Sequence, residues 1–320
     1  MHPLLSLEEH FFSTSSPPAL QALYSEQLRH IPTLLPKLTS LSTLRLADMD
    51  AGGIQLQVIS HAPGLSAYPD ACIAANNQLA SAITDHPTRF AGLAVLPMSD
   101  PILAASEFRR AVTELKFVGA LVDNHASGHF YDGNEYDIFW QAAEELRVPV
   151  YLHPTWTEEM GRYEGNYGTG AARSLASSGM GWHTETGMHF LRLFASGLFD
   201  RRPGLKVVLG HFGEGVSFWL ERVGELSKRW GEFGRGFTTV WDENVWVTTS
   251  GVWGMAAMRC VLGNTRVERV LYSVDYPFQK NEVGLKWMEE LEASGLVSEE
   301  GLKGIAYENA ESLLGIKMVT

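Results

Sequence analysis

The strongest constraint on this chain is a short apolar run that keeps returning. Eight such runs, rich in Val, Leu and Ile, recur along the 320 residues: 3–10, 54–60, 90–97, 117–123, 148–154, 205–211, 244–250 and 269–275. Most are nearly continuous rather than alternating, which is how strands buried on both faces of a parallel sheet read. Helical patterns separate them, over 70–86, 101–115, 134–146, 184–199, 214–230 and 254–263. Eight strand–helix units in a chain of this length predict a (β/α)8 TIM barrel, one domain over 1–320. A doubly wound sheet is the competing arrangement, and it would leave two or three strands unplaced. Residues 11–53 carry the Pro/Ser-rich stretch "STSSPP" and predict an elaborated loop after strand one, with its helix.

Charge narrows the partners. The formal net charge is −12, and no basic stripe stands out, so neither nucleic acid nor an anionic membrane is expected as a partner. No apolar stretch approaches the roughly 18 residues of a membrane-spanning helix, and no signal-peptide pattern opens the chain. Cys72 and Cys260 form no CxxC motif, which favours a reducing, cytoplasmic location over a disulfide framework. Neither GxGxxG nor a P-loop is present, so no organic cofactor is expected.

In a (β/α)8 barrel, chemistry sits at the C-terminal ends of the strands. Strand one ends in Glu8-Glu9-His10, strand five in His153, strand six in His211 and strand eight in Asp275. Strand alternation puts Glu8 and His10 on one face and turns Glu9 the other way, toward the surrounding helices or a loop. With Glu8 and His10 on the barrel axis, His153 and Asp275 can join them. Two imidazoles and two carboxylates then converge, a set that suits one divalent metal, Zn²⁺ first, with Mn²⁺ or Mg²⁺ as alternatives. Each residue alone has an ordinary explanation; an Asp after a strand often caps the next helix. The coincidence of four at separately assigned strand ends carries the argument.

His211 is followed by Glu214 in "LGHFGEG". Glu214 has two readings. It can sit in the first turn of the next helix, where the dipole favours a carboxylate, or it can orient the His211 imidazole and set its protonation. Arg222, two turns further on, either holds an anionic group of a substrate or pairs with a neighbouring acid. His61, Asp123, His183 and His189 each have two readings, pocket lining or structural support. Trp182, Trp253, Tyr276 and Phe278 are candidate apolar walls, and the aromatic-rich segment near 230–246 is a candidate oligomer interface.

The motifs "LEEHF", "FYDGNEYDIFWQAAEELRVPVYLHP", "SGLFDRRPGLKVVLGHFGEGVSFWLERV", "VWVTTSG" and "VLYSVDYPF" run in order over nearly the whole chain. Together they resemble the amidohydrolase-related metal-dependent decarboxylases. That group includes the γ-resorcylate, 2,3-dihydroxybenzoate and salicylate decarboxylases, with aminocarboxymuconate-semialdehyde decarboxylase more distant. The resemblance implies an amidohydrolase-like barrel with one catalytic divalent ion held by Glu8, His10, His153 and Asp275. It implies His211 as a catalytic acid/base with Glu214 as its partner, and a homodimer or homotetramer. The reaction implied is loss of CO₂ from an ortho-hydroxybenzoic acid of salicylate, dihydroxybenzoate or 6-methylsalicylate type, giving a phenol. Asp275 would then deliver a proton to the ring carbon. The wider superfamily carries HxH on strand one, but this chain has Glu8 at the first position, and no bridging lysine ends a strand. Both departures point to one metal. The alternatives are a mononuclear metal-dependent hydrolase of a lactone or amide, using the same ligands, and a barrel that only binds its ligand.

Overall fold

The computed structural model describes residues 2–319. All eight expected strands form: β1 (Leu4–Phe11), β2 (Ile54–His61), β3 (Phe90–Ala94), β4 (Gly119–Asp123), β5 (Val150–His153), β6 (Val207–Leu209), β7 (Val245–Thr248) and β8 (Val270–Leu271). They pair in parallel, in chain order, in one eight-stranded sheet. Helices follow the strands, and the result is a nearly closed (β/α)8 barrel. The last strands are shorter than their apolar runs. His211 and Asp275 therefore stand beyond the ladder, in backbone that side chains must hold.

Leu5, Leu7, Leu56, Val58, Leu93, Leu121, Tyr151, Val208 and Leu271 form one buried cluster, closed below by Leu313, Leu314 and Met318 near the C-terminus. A cluster drawn from strands all around the sheet is the barrel interior. Their sequence neighbours Leu4, Ile59, Val122, Leu152 and Val207 join a larger cluster with the helices. Both faces of the sheet are thus dry, which is why the strands read as continuous apolar runs.

Strand one departs from regular alternation. Leu5 and Leu7 point into the barrel, so unbroken alternation would carry Glu9 inward and leave Glu8 and His10 outside. A bulge intervenes: the β1–β2 register shifts between Leu7 and Glu9, and Glu8 has φ +70°. One bulge reverses the facing of everything after it. Alternation thus names the right pair, Glu8 and His10, but the bulge is what turns them in.

Glu9 turns away from Glu8 and His10, and of the two expected surroundings it meets the loop, the segment that follows β8, rather than the helices. It is fully buried and bridges the seam between β1 and β8. Its Oε1 accepts from the Val274 amide at 3.0 Å and its Oε2 from the Tyr276 amide at 2.7 Å. The His10 amide donates to the Tyr276 carbonyl at 2.7 Å, and the Ser273 hydroxyl donates to the Leu7 carbonyl. Among the described residues no ladder pair joins these two strands, so these bonds close the seam.

Residues 11–53 hold four short helices rather than one: Pro18–Leu23, Ser25–His30, Leu34–Leu38 and Thr43–Ala51. Prolines set two of these ends. Pro18 starts the first helix, and Ile31, held extended before Pro32, ends the second. Of the aromatics near 230–246, Phe237 and Trp241 are buried, Phe233 and Trp246 half-buried and Trp230 exposed; Phe218 and Trp219, outside the segment, are exposed as well. Among the described residues, no helix is long and apolar enough to cross a membrane.

Candidate metal and catalytic centre

Glu8, His10, His153 and Asp275 converge: one ligand atom from each lies within 4.8 Å of the others. His10 Nε2 is 3.3 Å from Asp275 Oδ1, and His153 Nε2 is 3.1 Å from Glu8 Oε1. Neither Glu8 Oε1 nor His10 Nε2 has a hydrogen-bond partner among the described residues, although both are buried. Burying unpaired polar atoms is costly unless something satisfies them. The other ring nitrogens are committed. His153 Nδ1 donates to the Pro154 carbonyl at 2.8 Å, and His10 Nδ1 lies 3.3 Å from the Ser60 hydroxyl. That pattern fixes each imidazole with Nε2 turned to the centre, as metal-binding histidines require. The second Glu8 oxygen accepts from the hydroxyls of Tyr151, Ser250 and Thr248. Two carboxylates and two imidazoles, with buried unpaired atoms aimed at one another, fit a divalent cation.

His211 and Glu214 lie on an unusual turn. His211, Phe212, Gly213, Glu214 and Gly215 have φ of +48°, +57°, +87°, +53° and +78°, one turn of left-handed backbone. Each non-glycine residue there costs roughly 1–2 kcal/mol, and such strain collects at functional sites. The first-turn reading of Glu214 is corrected: the next helix is Val216–Leu226, and Glu214 precedes it. Instead the turn folds Glu214 back onto His211, with Oε1 accepting from His211 Nδ1 at 2.8 Å. Its other oxygen accepts from His183 Nδ1 at 2.7 Å. His183 comes from helix Gly181–Ala195, which can approach because position 187 is glycine: a Cβ there would lie 2.6 Å from the Glu214 carbonyl oxygen.

Burial alone would raise the Glu214 carboxyl, but the charge of His211 and hydrogen bonds from both histidines outweigh it and hold it at about 2. Burial alone would lower His211, but the Glu214 and Glu8 charges and the Glu214 hydrogen bond lift it to about 10. The pair is therefore ionised near neutrality, with His211 Nε2 facing Glu8 Oε1 at 3.9 Å. Burial raises Asp275 to about 6, against the pull of His211, His153 and His183. Burial likewise lifts Glu9 to about 8 against its two amide hydrogen bonds, so geometry rather than charge is its contribution.

A cavity of about 380 Å³ opens beside these groups, lined by Tyr24, Gln27, Ile31, Trp182, Val252, Phe278 and Gln279 as well as His153, His183, His211 and Asp275. That volume suits a small ligand. The insertion after β1 supplies one wall. The Tyr24 hydroxyl donates to the Pro63 carbonyl at 2.9 Å, and its ring packs on Trp156 at 4.6 Å and lies parallel to Phe278 at 6.1 Å. Of the expected walls, Trp182 and Phe278 line the cavity. Tyr276 instead donates to Asp48 at 2.7 Å beneath Arg45, and Trp253 packs on Trp287 at 5.9 Å.

Arg222 is not brought into the cavity. It is exposed, forms no ion pair among the described residues, and lines an outer apolar groove that His183 and His211 also border. His61 accepts from the Ser13 amide at 3.0 Å, Asp123 from Gly64 at 3.0 Å and His189 from Tyr131 at 3.0 Å. Those three buried side chains hold loops.

The chain matches the amidohydrolase family model over residues 41–316. It is 49% identical to decarboxylase orsB of Emericella nidulans, with 99% of this chain and 98% of that protein covered. It is 34% identical to γ-resorcylate decarboxylase of Rhodococcus jostii, covering 98% of each. Among solved structures it resembles dihydroxybenzoic acid decarboxylase of Polaromonas sp. JS666, which holds manganese and the inhibitor 2-nitroresorcinol. That likeness has a TM-score of 0.87 and 31% identity, with 98% of this chain and 97% of that one covered. By sequence and by fold, the chain belongs to the amidohydrolase family.

Proposed function

We propose that this protein is a metal-dependent, non-oxidative decarboxylase of an ortho-hydroxybenzoic acid, releasing CO₂ and a phenol. One observation carries the reading: a four-residue ligand cluster opens onto an aromatic-walled cavity beside the His183–Glu214–His211 array. Relatives named as decarboxylases of aromatic acids support it.

In this reading Glu8, His10, His153 and Asp275 hold one divalent ion. The donor set accepts zinc or manganese, and the manganese in the Polaromonas relative makes Mn²⁺ the first ion to test. When bound, the ion supplies Lewis acidity and a template for the phenol and carboxylate oxygens. Asp275 takes the phenol proton and returns it to the ring carbon that bears the carboxylate. The C–C bond then breaks, its electron pair re-forms the aromatic ring, and CO₂ leaves. His211, cationic beside Glu214, protonates the phenolate product and is recharged from solvent. The net change is one carboxylate and one proton converted to CO₂ and one ring C–H.

The test is to incubate the Mn²⁺-loaded protein with salicylate, 2,3-dihydroxybenzoate, 2,6-dihydroxybenzoate and 6-methylsalicylate, following phenol release by chromatography. At least one acid is consumed with stoichiometric CO₂. Turnover of none of them, alongside hydrolysis of a lactone or amide, overturns the reading. We also propose a cytoplasmic homodimer or homotetramer joined through the exposed Phe218, Trp219 and Trp230. Light scattering tests the assembly.

A further inference from the structure

We propose that Glu9 is the positioning residue for Asp275, holding its carboxylate on the metal cluster by pinning the backbone on both sides. The inference rests on the reading of Asp275 as a metal ligand.

Asp275 is poorly supported by the barrel itself. Strand β8 ends at Leu271, four residues earlier. Asp275 also adopts φ +67°, a conformation that non-glycine residues hold only when their surroundings impose it. The restraint comes from Glu9. One side chain takes the amides of Val274 and Tyr276, the residues immediately before and after Asp275. The Tyr276 amide belongs to the peptide that follows Asp275 and the Val274 amide to the one that precedes Val274, so the two bonds clamp the Val274–Asp275–Tyr276 segment at both ends and with it the direction of the Asp275 side chain toward His10 Nε2, 3.3 Å away.

The position of Glu9 couples the two halves of the cluster. It stands between Glu8 and His10, so the bulge that turns those two residues inward also sends Glu9 across the seam. The same bulged segment presents two ligands directly and sets a third through hydrogen bonds. Two acceptor oxygens facing two amide donors make the requirement specific. Glutamine keeps one acceptor but presents an NH₂ group to the other amide, so one of the two pins is lost.

The experiment is a double-mutant cycle read by Mn²⁺ binding in calorimetry, with thermal melts confirming that each variant is folded. Glu9→Gln weakens Mn²⁺ binding by roughly 10–100-fold, the usual effect of losing a ligand's support. In the Asp275→Asn background the same substitution has little further effect, because the group it positions is already disabled. At saturating Mn²⁺, Glu9→Gln lowers kcat more than it changes KM. Glu9→Asp is the second variant, in case glutamine at this buried position prevents folding; it keeps both oxygens, withdraws them from the amides and weakens binding in the same background-dependent way. Equal weakening by Glu9→Gln in both backgrounds, or wild-type affinity in the single variant, overturns the proposal. If Asp275→Asn itself leaves Mn²⁺ affinity unchanged, the premise that Asp275 is a ligand fails, which is a distinguishable result.

Discussion

His183 and His211 share one carboxylate: Glu214 accepts from His183 at 2.7 Å through one oxygen and from His211 at 2.8 Å through the other. Both bonds use Nδ1, so the Nε2 atom of His211 is left toward the metal cluster. His183 is thus the second anchor of Glu214, and without it the carboxylate can rotate. His183→Ala lowers kcat roughly 10–100-fold, the scale of a lost outer partner. His211→Ala costs more, about 10²–10⁴-fold. Steady-state kinetics on the two variants checks the ranking; an equal loss would put His183 in contact with the reacting groups.

The charge on His211 depends on Glu214, and this sets the direction of a pH effect. Its proton is held up to about pH 10, so the cation is present through neutrality and lost on the alkaline side. In Glu214→Gln the burial that depresses His211 is opposed only by the charges of Glu8 and Asp275. The imidazole then loses its proton at lower pH, and the alkaline limb of kcat moves down. A pH–rate profile decides. Movement of the acid limb instead means that His211 works as the neutral base.

Much of the centre is legible in the sequence. The eight strands announce themselves because both sheet faces are buried, and Glu8, His10, His153, His211 and Asp275 all fall at the C-terminal ends of the apolar runs. Other parts leave no local signal. The bulge at Glu8 and the left-handed turn from His211 to Gly215 are backbone states held by distant side chains. His183 lies 31 residues from Glu214, and only the packing of its helix on that turn joins them. The cavity wall from Tyr24, Gln27 and Ile31 belongs to an insertion with no periodic pattern. Tyr151 does carry a local signal: it shares a strand face with His153, two residues away, and its hydroxyl meets Glu8.

Metal binding to the folded state alone stabilises it by mass action, about 2.7 kcal/mol at 100 times Kd. Added Mn²⁺ therefore raises the melting temperature of the wild-type protein, and a chelator reverses the gain. Glu8→Ala and His153→Ala remove the response, because each deletes a ligand. Differential scanning calorimetry at several Mn²⁺ concentrations reads this without substrate. A metal-dependent shift that survives in Glu8→Ala places the ion elsewhere.

Gly210 stands where the two halves of the site, the metal cluster and the His211–Glu214 pair, come together. A Cβ built there would lie 3.0 Å from the Tyr151 hydroxyl, 3.1 Å from Glu214 Oε1 and 3.2 Å from Glu8 Oε2. Its φ is −67°, so alanine meets no backbone penalty at this position. The methyl group acts only through its contacts, and all three neighbours belong to the centre. They can give way by a few tenths of an ångström, but only by loosening the hydroxyl that braces Glu8 or the carboxylate that holds His211. Gly210→Ala therefore keeps its fold, with a destabilisation of about 1–3 kcal/mol from overpacking, while Mn²⁺ affinity and kcat both fall. Circular dichroism and calorimetry on one preparation separate the effects. Unchanged affinity and turnover would mean that the two halves of the site have room to move independently.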